Sequence, residues 1–248
     1  TFNGQVLSPD QYLLLEPKQP FEAVQFVSAS FTSSSLLPKD LLVDPTLSLR
    51  YRLLGLPSVY TTPIHQWSSV TTDILSDATR NAAPLHTFSF LDIDEATRHI
   101  SIPSGSWSLR RLLVIPEDYT VSVEPGAKID LIEDAMIVSS SPLHMQGTPQ
   151  NPITISSSDG SGQGILLLSA QKPSIFSYVS FSNLREPDTF RNTLTGILTG
   201  YETTLSLNYV SFSDIHAEDA LNLIRSTFSL NHVSFERTLS DCFDSDFS

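Results

Sequence analysis

The residues best able to do chemistry are carboxylates gathered near the C-terminus. Between Asp214 and Asp246 stand seven acidic side chains (Asp214, Glu218, Asp219, Glu236, Asp241, Asp244 and Asp246) against two cations, Arg225 and Arg237. The segment Asp219-Ala220-Leu221-Asn222 returns 22 residues later as Asp241-Cys242-Phe243-Asp244. If the two segments lie side by side, Asp219 meets Asp241 and Asn222 meets Asp244. Like charges one strand apart, about 5 Å, repel unless a cation bridges them or one carboxyl stays protonated. A Ca²⁺ ion, which takes roughly six to eight oxygens in flexible geometry, would draw on Asp219, Asp241, Asp244 and Asp246. Catalysis would use Asp219, Asp241 and Asp244 as acid and base in glycoside hydrolysis, with His216 or His232 nearby. A lyase or epimerase would pair a base with a cation such as Arg225. The structural alternative is a set of turn aspartates that accept hydrogen bonds from their own backbone.

Other chemistry-bearing residues form no motif. Asp159-Gly160-Ser161-Gly162-Gln163-Gly164 is glycine-rich, but no helix follows to hold a phosphate, so it reads as a tight loop entering Ile165. His65, His86, His99, His144, His216 and His232 show no metal-ligand spacing. No G-x-S-x-G elbow is present. Trp67, Trp107 and Tyr201 have the chemistry to stack on sugar rings, or else to pack a core or cap.

The elements that must position these residues are β-strands. Short runs rich in Val, Ile, Leu, Phe, Tyr, Ser and Thr are punctuated by Pro, Gly, Asn and Asp. The 16 prolines argue against long helices. Residues 47–53 alternate apolar and polar as a half-buried strand does. Phe88 to Asp92 and His99 to Ile102 flank Asp94-Glu95-Ala96-Thr97 like the arms of a hairpin. Ser33-Ser34-Ser35 and the stretch from Ser76 to Pro84 read as loops, the latter with room for one helical turn. From Leu112 onward apolar runs of about three to five residues alternate with turn-sized links, too short for an ordinary sandwich and suited to a coil with three faces per turn.

An internal repeat supports the coil. Phe176-Ser177-Tyr178-Val179-Ser180-Phe181 returns as Leu207-Asn208-Tyr209-Val210-Ser211-Phe212 and again as Leu230-Asn231-His232-Val233-Ser234-Phe235. The intervals are 31 and 23 residues, and the extra length falls within Leu184 to Leu194. Val and Phe two apart share one side of a strand. Stacked copies would align Val179, Val210 and Val233 inside, set Phe181, Phe212 and Phe235 in a second column, and leave Ser180, Ser211 and Ser234 outside.

The composition narrows the partners. A net charge of -13 opposes phosphate backbones and anionic lipid heads, so nucleic-acid binding is not expected. No run of about 18 apolar residues exists, so no membrane insertion by a helix is expected. Cys242 stands alone, which leaves the disulfide argument for secretion silent.

The segment from Ser106 to Ser248 resembles the right-handed parallel β-helix proteins of the pectin-lyase-like superfamily. Residues 113–126 and 147–157 look like the opening turns of bacterial surface β-helices. With Asp219-Ala220-Leu221-Asn222 and Ser240-Asp241-Cys242-Phe243-Asp244-Ser245-Asp246-Phe247, they look most like β-helical regions in or beside CotH-type spore-coat-like proteins. No segment matches the kinase site of that group, so kinase activity is not carried over. The resemblance implies an all-β chain: an irregular β-rich region or cap over 1–105, then a right-handed parallel β-helix, a three-faced solenoid, over 106–248. It implies an extracellular or cell-surface bacterial setting, with the periplasm as the alternative. The aspartate-rich turns of such relatives continue further, so more chain or a partner is expected to cover the last turn.

The leading expectation is a non-enzymatic scaffold for polysaccharide or extracellular protein. The alternatives are a carbohydrate-active enzyme using the C-terminal aspartates and a structural subunit of a larger extracellular assembly.

Overall fold

A computed structural model describes residues 48–52, 56–63, 74, 78–80, 82–188 and 194–248. Ser33-Ser34-Ser35, His65, Trp67 and both ends of the 47–53 segment lie outside them. The chain divides into two units, residues 1–68 and 69–248. In the first, β1 (Ser48–Arg52) pairs antiparallel with β2 (Val59–Pro63), placing Tyr51 opposite Tyr60.

The second unit is built almost wholly from parallel strands. One sheet contains β6 (Leu113–Ile115), β9 (Ile137–Ser139), β12 (Ile165–Leu168), β14 (Gly196–Tyr201), β16 (Asp219–Ile224) and β18 (Asp241–Asp246), each paired parallel to the next. The other sheet begins with a hairpin, β3 (Asp92–Asp94) against β4 (His99–Ile102). Its turn is held by Asp94, whose carboxylate accepts from the backbone N–H of Ala96 and Thr97. From β4 the pairing runs parallel through β7 (Thr120–Val123) and β10 (Leu143–Gln146). A second row runs from β5 (Gly105–Leu109) through β8 (Ala127–Leu131) to β11 (Ile153–Ser156). The boundary read at 105/106 thus falls within β5, and parallel pairing starts at His99.

The two rows merge in β13 (Ser174–Arg185), which pairs β10 through its first half and β11 through its second. Where β10 and β11 are separated by residues 147–152, β13 needs a single bent residue, Tyr178 at φ 49°. β15 (Thr204–His216) and β17 (Thr227–Thr238) then follow β13 position for position. The added length of the first repeat lies in residues 186–195, where the next repeat crosses with residues 217–218.

Non-glycine residues with left-handed φ line up at the bends. Ser169, Glu202 and Arg225 (φ 48–49°) follow β12, β14 and β16; Tyr178, Tyr209 and His232 (φ 49–53°) form a second set. Asn183, Asp214 and Arg237 (φ 53–54°) form a third.

Side chains from both sheets meet in one core, in which Ile137, Ile165 and Leu221 of the first sheet join Val121, Phe176 and Phe212 of the second. The first sheet is buried on its other face as well. There Val114, Val138, Leu166 and Tyr201 pack with Ile74 and Ala78, from the stretch where residues 78–80 are helical. Burial on both faces explains why β12 reads Ile-Leu-Leu-Leu without alternation. In register, that outer column runs Val114, Val138, Leu166, Thr199, Asn222, Asp244, changing from apolar to polar. Among the described residues no helix is long and apolar enough to cross a membrane.

Candidate functional site

The acidic residues sit on the polar end of that column. β16 and β18 are in parallel register, with Asp219 beside Asp241, Asn222 beside Asp244 and Ile224 beside Asp246. Neighbouring strands are about 4.8 Å apart, so these side chains are adjacent. Asp219 and Asn222 are buried, at 3% and 4% exposure, whereas Asp241 and Asp246 are exposed and Asp244 is half-buried.

Asp219 is already engaged. Its Oδ2 accepts a short hydrogen bond from the Thr195 hydroxyl and a 2.7 Å bond from Asn222 Nδ2, which also reaches Thr195 Oγ1 at 3.0 Å. Thr195 was not singled out in the sequence. It belongs to the long link before β14, and nothing in its neighbourhood marks it. Asn222 Oδ1 is buried without a hydrogen-bond partner.

Asp244 accepts a hydrogen bond from the backbone N–H of Ser245, and its environment is otherwise unfavourable to charge. Burial raises its carboxyl above the ordinary carboxylate range, and the nearby Asp246, Asp219 and Asp241 add to that. Both cations hold other carboxylates. Arg237 forks onto Asp214, with Nε and Nη2 at 2.6 and 2.9 Å from its two oxygens, and also meets Glu236. That fork holds the Asp214 carboxyl below its ordinary value. Arg225 pairs with Glu202 at 3.5 Å. His232 lies in β17, in the other sheet, and His216 ends β15.

The fit to a metal is therefore poor. Calcium needs several oxygens converging on one point. Here one carboxylate is committed to Thr195 and Asn222, and two others face solvent. Among the described residues no three His, Cys, Asp or Glu side chains are grouped as a metal ion requires. Asp219, Asp241, Asp244 and Asp246 are brought into neighbouring register but not into a calcium cradle, and Asp219, Asp241 and Asp244 do not face one another across a cleft.

The glycine-rich segment is a loop stitched by Asp159. Its carboxylate accepts from the backbone N–H groups of Ser161 and Glu133 and from the hydroxyls of Ser161 and Ser157. These bonds hold it well below the usual carboxylate range.

Inside, Val179, Val210 and Val233 occupy one register line and Phe181, Phe212 and Phe235 another. The phenyl rings lie nearly parallel, with centroids 5.0 and 5.1 Å apart. Outside, a second aromatic column forms at the bend: Tyr178 on Tyr209 at 4.8 Å and Tyr209 on His232 at 4.3 Å. Beside it Asn231 Nδ2 donates to Asn208 Oδ1 at 2.7 Å. Because these rings face one another, their edges, with two phenol hydroxyls and an imidazole, are directed away from the stack. The aromatics considered for sugar stacking lie elsewhere. Tyr201 is buried, and Trp107 packs on Phe90 and donates its indole N–H to the Pro103 carbonyl.

No protein-family model, curated protein or solved structure matches the chain.

Proposed function

We propose that residues 99–248 form a right-handed parallel β-helix, of the pectin-lyase-like kind, that serves as a non-enzymatic extracellular scaffold for a polysaccharide. The unbroken parallel register of β13, β15 and β17 carries this reading, because it lays the same side-chain positions at equal intervals along one face. Right-handedness follows from the near-universal hand of parallel crossovers. The outward columns Ser177–Asn208–Asn231, Tyr178–Tyr209–His232 and Ser180–Ser211–Ser234 offer amides, hydroxyls and ring edges. A chain of sugars, with a donor and acceptor on nearly every carbon, complements such a face. The catalytic alternative has less support, since the aspartates are committed or exposed rather than opposed across a cleft.

The test is retention of the protein by a panel of immobilised polysaccharides, neutral and acidic, for wild type and Tyr209→Ala. Retention by at least one, lost in the variant with an unchanged circular dichroism spectrum, is the expected result. Absence of retention across the panel refutes the polysaccharide assignment. Release of reducing ends would instead favour an enzyme.

A further inference from the structure

The outer corner after β12, β14 and β16 contains a cleft of about 320 Å³, lined by Gln171, Glu202, Thr203, Thr204, Arg225 and Thr227. Its origin is a difference in link length. β14 and β16 turn into β15 and β17 through two residues each, 202–203 and 225–226, whereas β12 reaches β13 through residues 169–173. The longer link, braced by Gln171 Nε2 on the Ser169 carbonyl at 3.1 Å, forms a wall beside the shorter ones.

The lining has a defined chemistry. Thr204 and Thr227 are register neighbours and both exposed, so their hydroxyls stand one strand apart. Arg225 and Glu202 oppose each other at 3.5 Å and cancel in charge while offering N–H donors and carboxylate acceptors. Thr203 is 5% exposed, yet its Oγ1 has no hydrogen-bond partner, although its backbone N–H is satisfied by Ser226 Oγ at 3.2 Å. An unmatched buried hydroxyl costs about 1–3 kcal/mol, and a ligand hydroxyl that bonded it would recover part of that.

We propose that this cleft binds one neutral sugar residue. Hydroxyls that donate and accept at once suit a lining of threonines, an amide and a matched ion pair. The depression is open to solvent, and about 320 Å³ gives room for a single ring against its wall. Uronic acids are disfavoured because Glu202 already balances Arg225 and the chain carries a net charge of -13. This inference rests on the scaffold reading and adds a subsite to it, away from the Tyr209 column.

The experiment is an NMR titration of the whole chain with glucose, galactose and mannose and with glucuronate and galacturonate, following the amides of Thr203, Thr204, Arg225 and Thr227. At least one neutral sugar should shift these amides, with neither uronate doing so. Thr203→Val, nearly isosteric, should weaken that sugar about fivefold, the value of one hydrogen bond, while the melting temperature holds or rises. Glu202→Gln, which removes the carboxylate facing Arg225 in the cleft, should bring uronate binding into view. No shift with any neutral sugar overturns the proposal, as does equal affinity in Thr203→Val or stronger uronate binding by wild type. Polysaccharide retention through Tyr209 without cleft shifts defeats the subsite alone; cleft shifts without retention defeat the scaffold face alone.

Discussion

Truncating Phe212 to alanine probes the inner ring column at its middle. The side chain is buried in β15, and its ring is sandwiched between Phe181 and Phe235 at 5.0 and 5.1 Å, with interplanar angles of 7° and 11°. Removing a fully buried phenylalanine costs about 3–5 kcal/mol, of which two ring pairs account for about 1–3 kcal/mol. Phe235 is half-buried and stacks on one ring. Its truncation forfeits one pair and part of the burial, about 1–2 kcal/mol. Phe212→Leu keeps most of the apolar volume and loses the stacking, so it should cost about 1–2 kcal/mol. Equilibrium urea unfolding read by circular dichroism gives the three values, provided the dependence on urea is unchanged between variants. The reasoning fails if Phe212→Ala and Phe235→Ala cost the same, or if Phe212→Leu is as damaging as Phe212→Ala.

Two further variants address other parts of the unit. Gly164→Ala should destabilise by about 3 kcal/mol or more, because a Cβ there would strike the Ile197 carbonyl and the residue sits at φ +81°, and a thermal melt would report it. Asp244→Asn should stabilise near neutral pH and have no effect below the ordinary carboxylate range. A raised folded-state carboxyl loses its stability contribution as pH rises through its own titration, and the amide does not titrate. Midpoints of unfolding at acid and neutral pH check the sign, and an equal offset at both would contradict it.

Much of the parallel pairing could be read from the chain because side-chain alternation and the repeat are local signals. The Val-Ser-Phe triplets fall in register in β13, β15 and β17, and Asp219 lies beside Asp241, as the 22-residue echo requires. The turn at Asp94 was visible as well, since its hydrogen bonds reach two and three residues along. What escaped depends on contacts distant in sequence. The second buried face of the first sheet involves Ile74 and Ala78, whose surroundings give no clue that they meet Val138 and Leu166. The commitment of Asp219 to Thr195 spans 24 residues through a link of irregular length, so the acidic group looked freer than it is. The cleft arises from one link being longer than its neighbours, a property of the stack that no single turn displays.

The bends carry a consequence for how such a surface can change. A left-handed φ costs an ordinary L-residue about 1–2 kcal/mol, and glycine is the usual answer. Here the bends hold Tyr, Tyr and His in one line, Asn, Asp and Arg in another, and Ser, Glu and Arg in a third. Since the strands on either side fix the backbone, the identity of each bend residue is free of the demands of the core. Each line is instead a row whose members answer to one another: Tyr209 stacks on Tyr178 and His232, Arg237 pairs with Asp214 and Arg225 with Glu202, so a change at one bend is felt at the next. A lineage could diversify its binding preference along these rows while its interior stayed constant.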